Sequence, residues 1–251
     1  MLLDDRTAVI YGGGGAIGGA VARAFAREGA TVHLAGRTEA KLDRVAEQIR
    51  SDGGAAETAV VDALDEASVD AHADAVVASA GSLDVSLNVI SHSDVQGTPL
   101  AEMSLADFER PVVTASRTMF ITARAAARHM IRQRSGVILA FGGYGDPMTD
   151  HNLGGLQVAF AAQEQLRRNL AAELGRHGIR VVTLQTGGVP EVIPLDFAGR
   201  DAITRQIEGD TLLGRAATLE DVGNVAAFAA SDWARTITAS QINITAGSEV
   251  D

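Results

Sequence analysis

Val9-Ile10-Tyr11-Gly12-Gly13-Gly14-Gly15-Ala16-Ile17-Gly18 carries more structural information than any other stretch of this chain. An apolar run from Thr7 to Ile10 ends in four consecutive glycines, and a helical pattern opens behind them. Gly12 to Gly15 admit backbone conformations that a Cβ forbids, so the chain can turn sharply out of a strand. The helix that follows aims its free N–H groups, and the positive end of its dipole, at whatever occupies the turn. A phosphate satisfies that geometry, and a pyrophosphate does so especially well. A merely flexible turn could carry the same letters. Here, however, the glycines end a first strand, open a helix and precede further strand–helix units, which is the context of a dinucleotide site.

Outward from the loop, strand and helix patterns alternate to the end of the chain. Ile17, Val21, Ala24 and Phe25 give the first helix one apolar face. Thr31 to Ala35 reads as a second strand, and Leu42, Val45, Ala46 and Ile49 share one side of the next helix. A third strand ends at Ala59 to Val61, and a helix from about Glu66 to Ala80 leads to a fourth at Val85–Ile90. Ser104-Leu105-Ala106-Asp107 has the spacing of a capping box and opens a long helix that contains Pro111. A proline there removes a helical hydrogen bond and favours a kink. Gly136 to Phe141, Ile179 to Leu184 and Gln241 to Thr245 complete the strands, with helices at about Leu156 to His177 and after the Thr218-Leu219-Glu220-Asp221 cap. Such alternation predicts an α/β chain forming one domain, residues 1–251. Its core is a doubly wound, Rossmann-type parallel sheet of about seven strands with helices on both faces. Residues 187–213 are too long for a simple connection and are expected to form a lid over the site.

Composition narrows the partners. The chain has 251 residues, 46% of them apolar and only five proline, enough for a large core. No run of about eighteen apolar residues is present, so a membrane span is not expected. Met1-Leu2-Leu3-Asp4-Asp5-Arg6 runs straight into the first strand, which leaves no room for a signal peptide, and cysteine is absent; both fit a cytoplasmic protein. A net charge of −11 argues against a nucleic-acid partner. The histidines show no ligand spacing on a shared face, so no metal site is expected.

In order along about 240 residues, these motifs resemble the short-chain dehydrogenase/reductase family. Its glycine motif, T-G-x-x-x-[AG]-x-G, matches Tyr11, Gly12, Ala16 and Gly18, with Tyr in place of Thr. Asp62 follows the third strand, where the family holds the adenine amino group. Asn88-Val89-Ile90-Ser91 stands at its N-N-A-G, Thr186-Gly187 at its P-G, and Gly214-Arg215 with Glu220-Asp221-Val222 at its L-G-R and P-E-D-V. The resemblance implies cofactor contacts at Gly12, Gly14, Gly15, Ala16, Ile17, Gly18, Asp62, Asn88, Thr186, Gly187 and Val189. It also implies a homo-oligomer, most simply a tetramer with two-fold axes, built through the helices after strands four and five and the C-terminal strand. Ala123, Ala125, Ala126, Ala127, Ala171 and Ala172 would let such helices approach closely.

The second strand ends in Gly36-Arg37. Relatives selective for NAD commonly carry a carboxylate there for the ribose 2′-hydroxyl. A guanidinium instead suits a 2′-phosphate, so NADP(H) is favoured over NAD(H). Arg37 stacking on adenine or lying in solvent is the alternative.

The catalytic positions depart from the resemblance. The family's Tyr, Lys, Ser and Asn positions fall on Leu156, Phe160, Gly143 and Ala115. The inventory agrees: the one lysine is Lys41, expected to lie remote from any substrate pocket, and neither Tyr11 nor Tyr144 begins a Tyr-x-x-x-Lys. Tyr144, after Gly142-Gly143, is the first choice for a substitute acid, with an aromatic wall as its other reading. His151, in the same loop as Asp146, is the second choice. His92, Gly143, Leu156, Phe160 and Glu191 are expected around the substrate, His92 and Asp94 flanking Ser93. Glu191 stands near the phosphates, where a carboxylate is repelled, so it either turns away or engages substrate. Two functions follow. One is an NADP(H)-dependent reductase with an atypical active site, acting on a small apolar or activated carbonyl, imine or C=C substrate. The other is a non-redox protein of the same fold, such as a cofactor-binding sensor or scaffold, or a catalyst of another reaction.

Overall fold

β1, Thr7–Tyr11, is buried along its whole length, as a strand covered on both faces must be. In the computed structural model, which describes residues 1–143 and 151–250, it is an interior strand of a seven-stranded sheet. The other strands are β2 (Thr31–Gly36), β3 (Ala55–Val60), β4 (Val85–Asn88), β5 (Gly136–Gly143), β6 (Ile179–Thr186) and β7 (Ser240–Asn243). All pair in parallel, in the order β3-β2-β1-β4-β5-β6-β7. The expected doubly wound sheet is therefore observed.

The helices are α1 (Ala16–Arg27), α2 (Glu39–Ser51), α3 (Glu66–Ala80), α4 (Leu105–Gln133), α5 (Gly155–Leu174), α6 (Arg200–Gly209) and α7 (Leu219–Ala230). Local chemistry sets their ends. Ser104 accepts from the Asp107 N–H to start α4, and Thr218 with Asp221 forms a complete capping box on α7. α3 stops at Gly81, whose φ of +86° is left-handed. α4 continues through Pro111 as one helix of 29 residues.

Two cores flank the sheet. Phe25, Leu34, Leu42, Ile49 and Val222 belong to one, under α1, α2 and α7. Tyr11, Val69, Met130, Ile138 and Leu174 belong to the other, under α3, α4 and α5. Ala123, Ala125, Ala126, Ala127 and Ala171 lie inside this second core, so their small size serves packing within the chain and is not free for contact with another copy.

Several boundaries differ from the sequence expectation. β3 begins at Ala55, because an edge strand that is exposed at Ala55 and Glu57 carries little apolar alternation. β5 and β6 run to Gly143 and Thr186, beyond the apolar residues that marked them. β7 is Ser240–Asn243, a residue earlier in start and shorter than expected, and α5 gives way to a 3₁₀ turn at Gly175–His177. Residues 187–213 are not irregular throughout, since they contain α6 and a 3₁₀ turn at Pro190–Val192.

Strand order reverses between β1 and β4, and this switch point is where an open parallel sheet leaves a crevice. Tyr11 pairs with Asn88 and Asn88 with Ala140, while β5 and β6 extend three residues further to the Gly143–Thr186 pair. The longer strands stand as a wall beside the crevice.

Candidate active site

At the switch point the loops after β1 and β4 almost touch. Gly12 has φ +92°, and a Cβ there would lie 2.7 Å from the Val89 carbonyl oxygen. A Cβ at Gly18 would lie 2.3 Å from the Gly12 oxygen, so the start of α1 is drawn tightly under the loop. Gly15 caps α1 without any side chain, and no acidic residue occupies the first turn. The N-terminal N–H groups are thus left for an external anion.

A cleft of about 460 Å³ opens beside this loop. Its walls include Gly12, Gly14, Gly15, Arg37, Lys41 and Asp62, with Thr114 and Thr118 of α4 opposite. Asp62 is exposed, and one of its oxygens accepts from the Leu64 N–H at 3.0 Å, which fixes the carboxylate at the rim. The Arg37 and Lys41 side chains are exposed and have no hydrogen-bond or ion-pair partner among the described residues. Lys41 is closer to the loop than its sequence position implied: a Cβ at Gly14 would meet the Lys41 Cβ at 2.9 Å. The first turn of α2 returns to the loop immediately after Arg37, which is the signal that could have revealed it. Cradle, free N–H groups, rim carboxylate and unpaired cations together fit a dinucleotide with its phosphates at α1.

The remaining proposed contacts are less direct. Asn88 is buried; its amide donates to Thr122 Oγ1 of α4 at 3.2 Å and its oxygen accepts from the Ile90 N–H at 3.0 Å. Its side chain ties β4 to α4 and shapes the loop lining the cleft, rather than facing the cleft itself. Thr186 ends β6, and Gly187 and Val189 follow it; all three lie outside the cleft's walls, and the Val189 side chain belongs to the core. Ala16 borders a second groove on the outer side of the loop, with Arg23, Lys41 and Arg44. Ile17 packs partly against the core.

Three of the residues expected around a substrate come together. A Cβ at Gly143 would meet the Phe160 ring at 2.6 Å, and that ring lies edge-on to His92 with centroids 5.8 Å apart. Leu156 is half-buried one helical turn before Phe160. His92 is 8% exposed, and burial pushes its imidazole below the usual range, with Asp94 opposing the shift. Glu191 resolves its two readings by turning away: its carboxylate accepts from the Leu219 N–H at the start of α7, so it caps that helix and does not belong to the substrate group. His151 meets the Gln206 side chain of α6 at 3.1 Å. Tyr144 and Asp146 lie outside the described residues. Among the described residues no group of three His, Cys, Asp or Glu gathers to hold a metal, and no helix is long and apolar enough to cross a membrane.

Comparison with known proteins follows the same outline. A family model described as enoyl-(acyl carrier protein) reductase matches residues 14–249. The chain is 30% identical to the secoisolariciresinol dehydrogenase of Forsythia intermedia, covering 99% of this chain and 90% of that one. It is 32% identical to the galactitol 2-dehydrogenase of Rhizobium johnstonii, covering 98% and 95%. Among solved structures, a short-chain type dehydrogenase/reductase from Mycobacterium marinum superposes with a TM-score of 0.86 at 26% identity, covering 99% and 97%.

Proposed function

Because the chain belongs to the short-chain dehydrogenase/reductase family, we propose that it is an NADP(H)-dependent reductase with an atypical active site. Its substrate is a small apolar or already polarised carbonyl, imine or C=C compound. The observation that carries the cofactor choice is the unpartnered pair Arg37 and Lys41 on the cleft, with Gly36 where a carboxylate would read a 2′-hydroxyl. Two cations without partners gain most from a phosphate dianion. The bound dinucleotide supplies hydride. The chain's own residues hold it: α1 and the glycine loop bind the pyrophosphate, Asp62 the adenine end, and Arg37 with Lys41 the 2′-phosphate.

The apolar pair Leu156 and Phe160 supports an apolar or activated acceptor. With no Tyr-x-x-x-Lys in the sequence, a general base for alcohol oxidation is missing, a loss typically worth about 10²–10⁴ in rate. Tyr144 is the proposed acid and His151 its alternate. The same gap favours a second reading, a cofactor-binding protein without redox turnover. NADPH consumption with ketones, enones and cyclic imines separates the two.

The cofactor assignment is tested by titrating NADPH and NADH into the native protein and into Arg37→Ala and Lys41→Ala. Each variant should lose on the order of tenfold to a hundredfold in NADPH affinity, the scale of one charge-assisted hydrogen bond, with little change for NADH. NADPH should also protect Lys41, the chain's one lysine, from trinitrophenylation. Equal losses for both cofactors would exclude 2′-phosphate recognition.

A further inference from the structure

His92 stands apart from every other histidine in this chain. It lies past the carboxyl end of β4, between Ser91 and Ser93 of the cleft's wall, and its own ring turns from that wall towards Phe160. Ser93, which follows it, also lines the cleft and holds a left-handed φ of +56°, a conformation unfavourable for a residue with a Cβ. Strain of this kind persists where the surroundings over-determine it, commonly at ligand sites. The ring is 8% exposed and leans edge-on against Phe160, which in turn covers Gly143 at the end of β5. The imidazole is therefore fixed between the loop after β4 and the first turns of α5.

What it lacks is a polar partner. Neither ring nitrogen has a hydrogen bond among the described residues, and neither is sealed in the way His33 Nε2 and His72 Nδ1 are. The ring is thus held by carbon contacts while its nitrogens stay within reach of a small molecule, so a ligand can take the place of water there. Each remaining histidine is paired: His129 with Asp74 and Arg132, His177 with Arg134 and Arg176, and His151 with Gln206.

We propose that His92 is a catalytic residue: its N–H donates a hydrogen bond to the oxygen or nitrogen of the double bond being reduced. The proposal rests on the oxidoreductase reading above and adds the group that polarises the acceptor. Burial favours the neutral imidazole, so the ring acts as a fixed hydrogen-bond donor and keeps its own proton. Atoms and electrons balance in a single step. The carbon of the double bond accepts hydride, and with it two electrons, from the reduced dinucleotide. The π pair moves to the heteroatom, and the heteroatom takes one proton from water. The imidazole begins and ends neutral. A donor already in place when negative charge develops needs no reorganisation, which is how a site without Tyr-x-x-x-Lys retains part of its rate. Phe160 fits the same scheme, because its ring excludes water from the face of His92 that it covers.

The test uses full-length protein labelled with ¹³C,¹⁵N-histidine, and 2-cyclohexen-1-one as a carbonyl probe. In the cofactor-free protein, the His92 ring signals, assigned by their loss in His92→Leu, should shift saturably with the probe while His151 and His177 do not. Probe binding that leaves His92 unmoved overturns the proposal, and so does the absence of any saturable binding at tens of millimolar. Because this readout needs no turnover, it stands even if NADPH binding fails and the cofactor reading falls with it. With NADPH and whichever of cyclohexanone, 2-cyclohexen-1-one or 2-methyl-1-pyrroline is reduced, His92→Leu should lower kcat about 10²-fold, the usual cost of one such donor. Its NADPH affinity should stay within about threefold of the native value. His92→Gln retains an N–H donor and should recover part of the rate; equal kcat values for the native protein and His92→Leu would overturn the assignment.

Discussion

Arg180 shows how a single residue can hold distant elements together. It sits on β6, buried, and its guanidinium donates to the carbonyls of Ala229 at 2.7 Å, Ser231 at 3.0 Å and Ile237 at 3.2 Å. Two of these are at the end of α7, where a helix leaves carbonyls without partners and its dipole favours a cation. Arg180→Met would keep the apolar stem and take the guanidinium from all three carbonyls, of which Ser231 keeps the Ala234 N–H as a donor. Urea denaturation should then show a loss of about 2–4 kcal/mol, the scale for buried groups left unpaired. A change under about 0.5 kcal/mol would mean that water replaces the guanidinium without cost. Glu191 teaches the same lesson at the opposite end of that helix. Its charge suggested a substrate contact, yet the free N–H groups of α7 are nearer and claim it.

At the scale of elements, α3 is the helix whose packing depends on protonation. His72 projects from it edge-on to Tyr11 of β1, with ring centroids 5.9 Å apart, and burial together with nearby His33 lowers the His72 pKa to about 4. His33 on β2 is lowered as well, by burial and against the pull of Glu57. Burial holds the Tyr11 phenol above its usual range, and Asp70 of α3 adds to that shift. The folded state therefore prefers neutral imidazoles, while the unfolded chain protonates them near pH 6.5. Their contribution to stability is complete above that pH and is lost as the pH falls from about 6.5 towards 4. Thermal unfolding of the native protein should drop across this window, and His72→Gln should flatten the drop. An unchanged slope would assign the acid sensitivity elsewhere. α6 differs from every other helix. It has no buried residue and touches the body through contacts such as Ile207 over Gly188 and Gln206 with His151, as expected of a segment that opens and closes.

At the scale of the whole molecule, three exposed apolar side chains bear on the proposed assembly. Val113 and Phe120 of α4 are 47% and 50% exposed, and Val158 of α5 is 44% exposed. Ala123, Ala125, Ala126 and Ala127 of α4 cannot form this contact because the chain's own core encloses them. A homotetramer built through α4 and α5 is the expected assembly, and sedimentation at micromolar concentration should give four times the chain mass. Phe120→Asp should shift that mass downward. A monomer in the native protein would remove the expectation.

The parallel sheet, the glycine loop and the lack of a Tyr-x-x-x-Lys were legible in the chain's letters alone, because each is written in contiguous residues or in the inventory of residue types. Periodicity and capping act over one or two helical turns, so Thr218 with Asp221, or Ser104 with Asp107, could be read directly. It took the folded chain to show that Lys41 reaches the cleft beside the glycine loop, that Asn88 faces α4, that Glu191 caps α7 and that His92 leans on Phe160. These facts join residues from different elements, and the direction of a side chain across such a gap is set by packing and by competing hydrogen-bond partners. No local pattern carries that information: a carboxylate near a phosphate site and a carboxylate near a helix start are the same letter until the chain is folded.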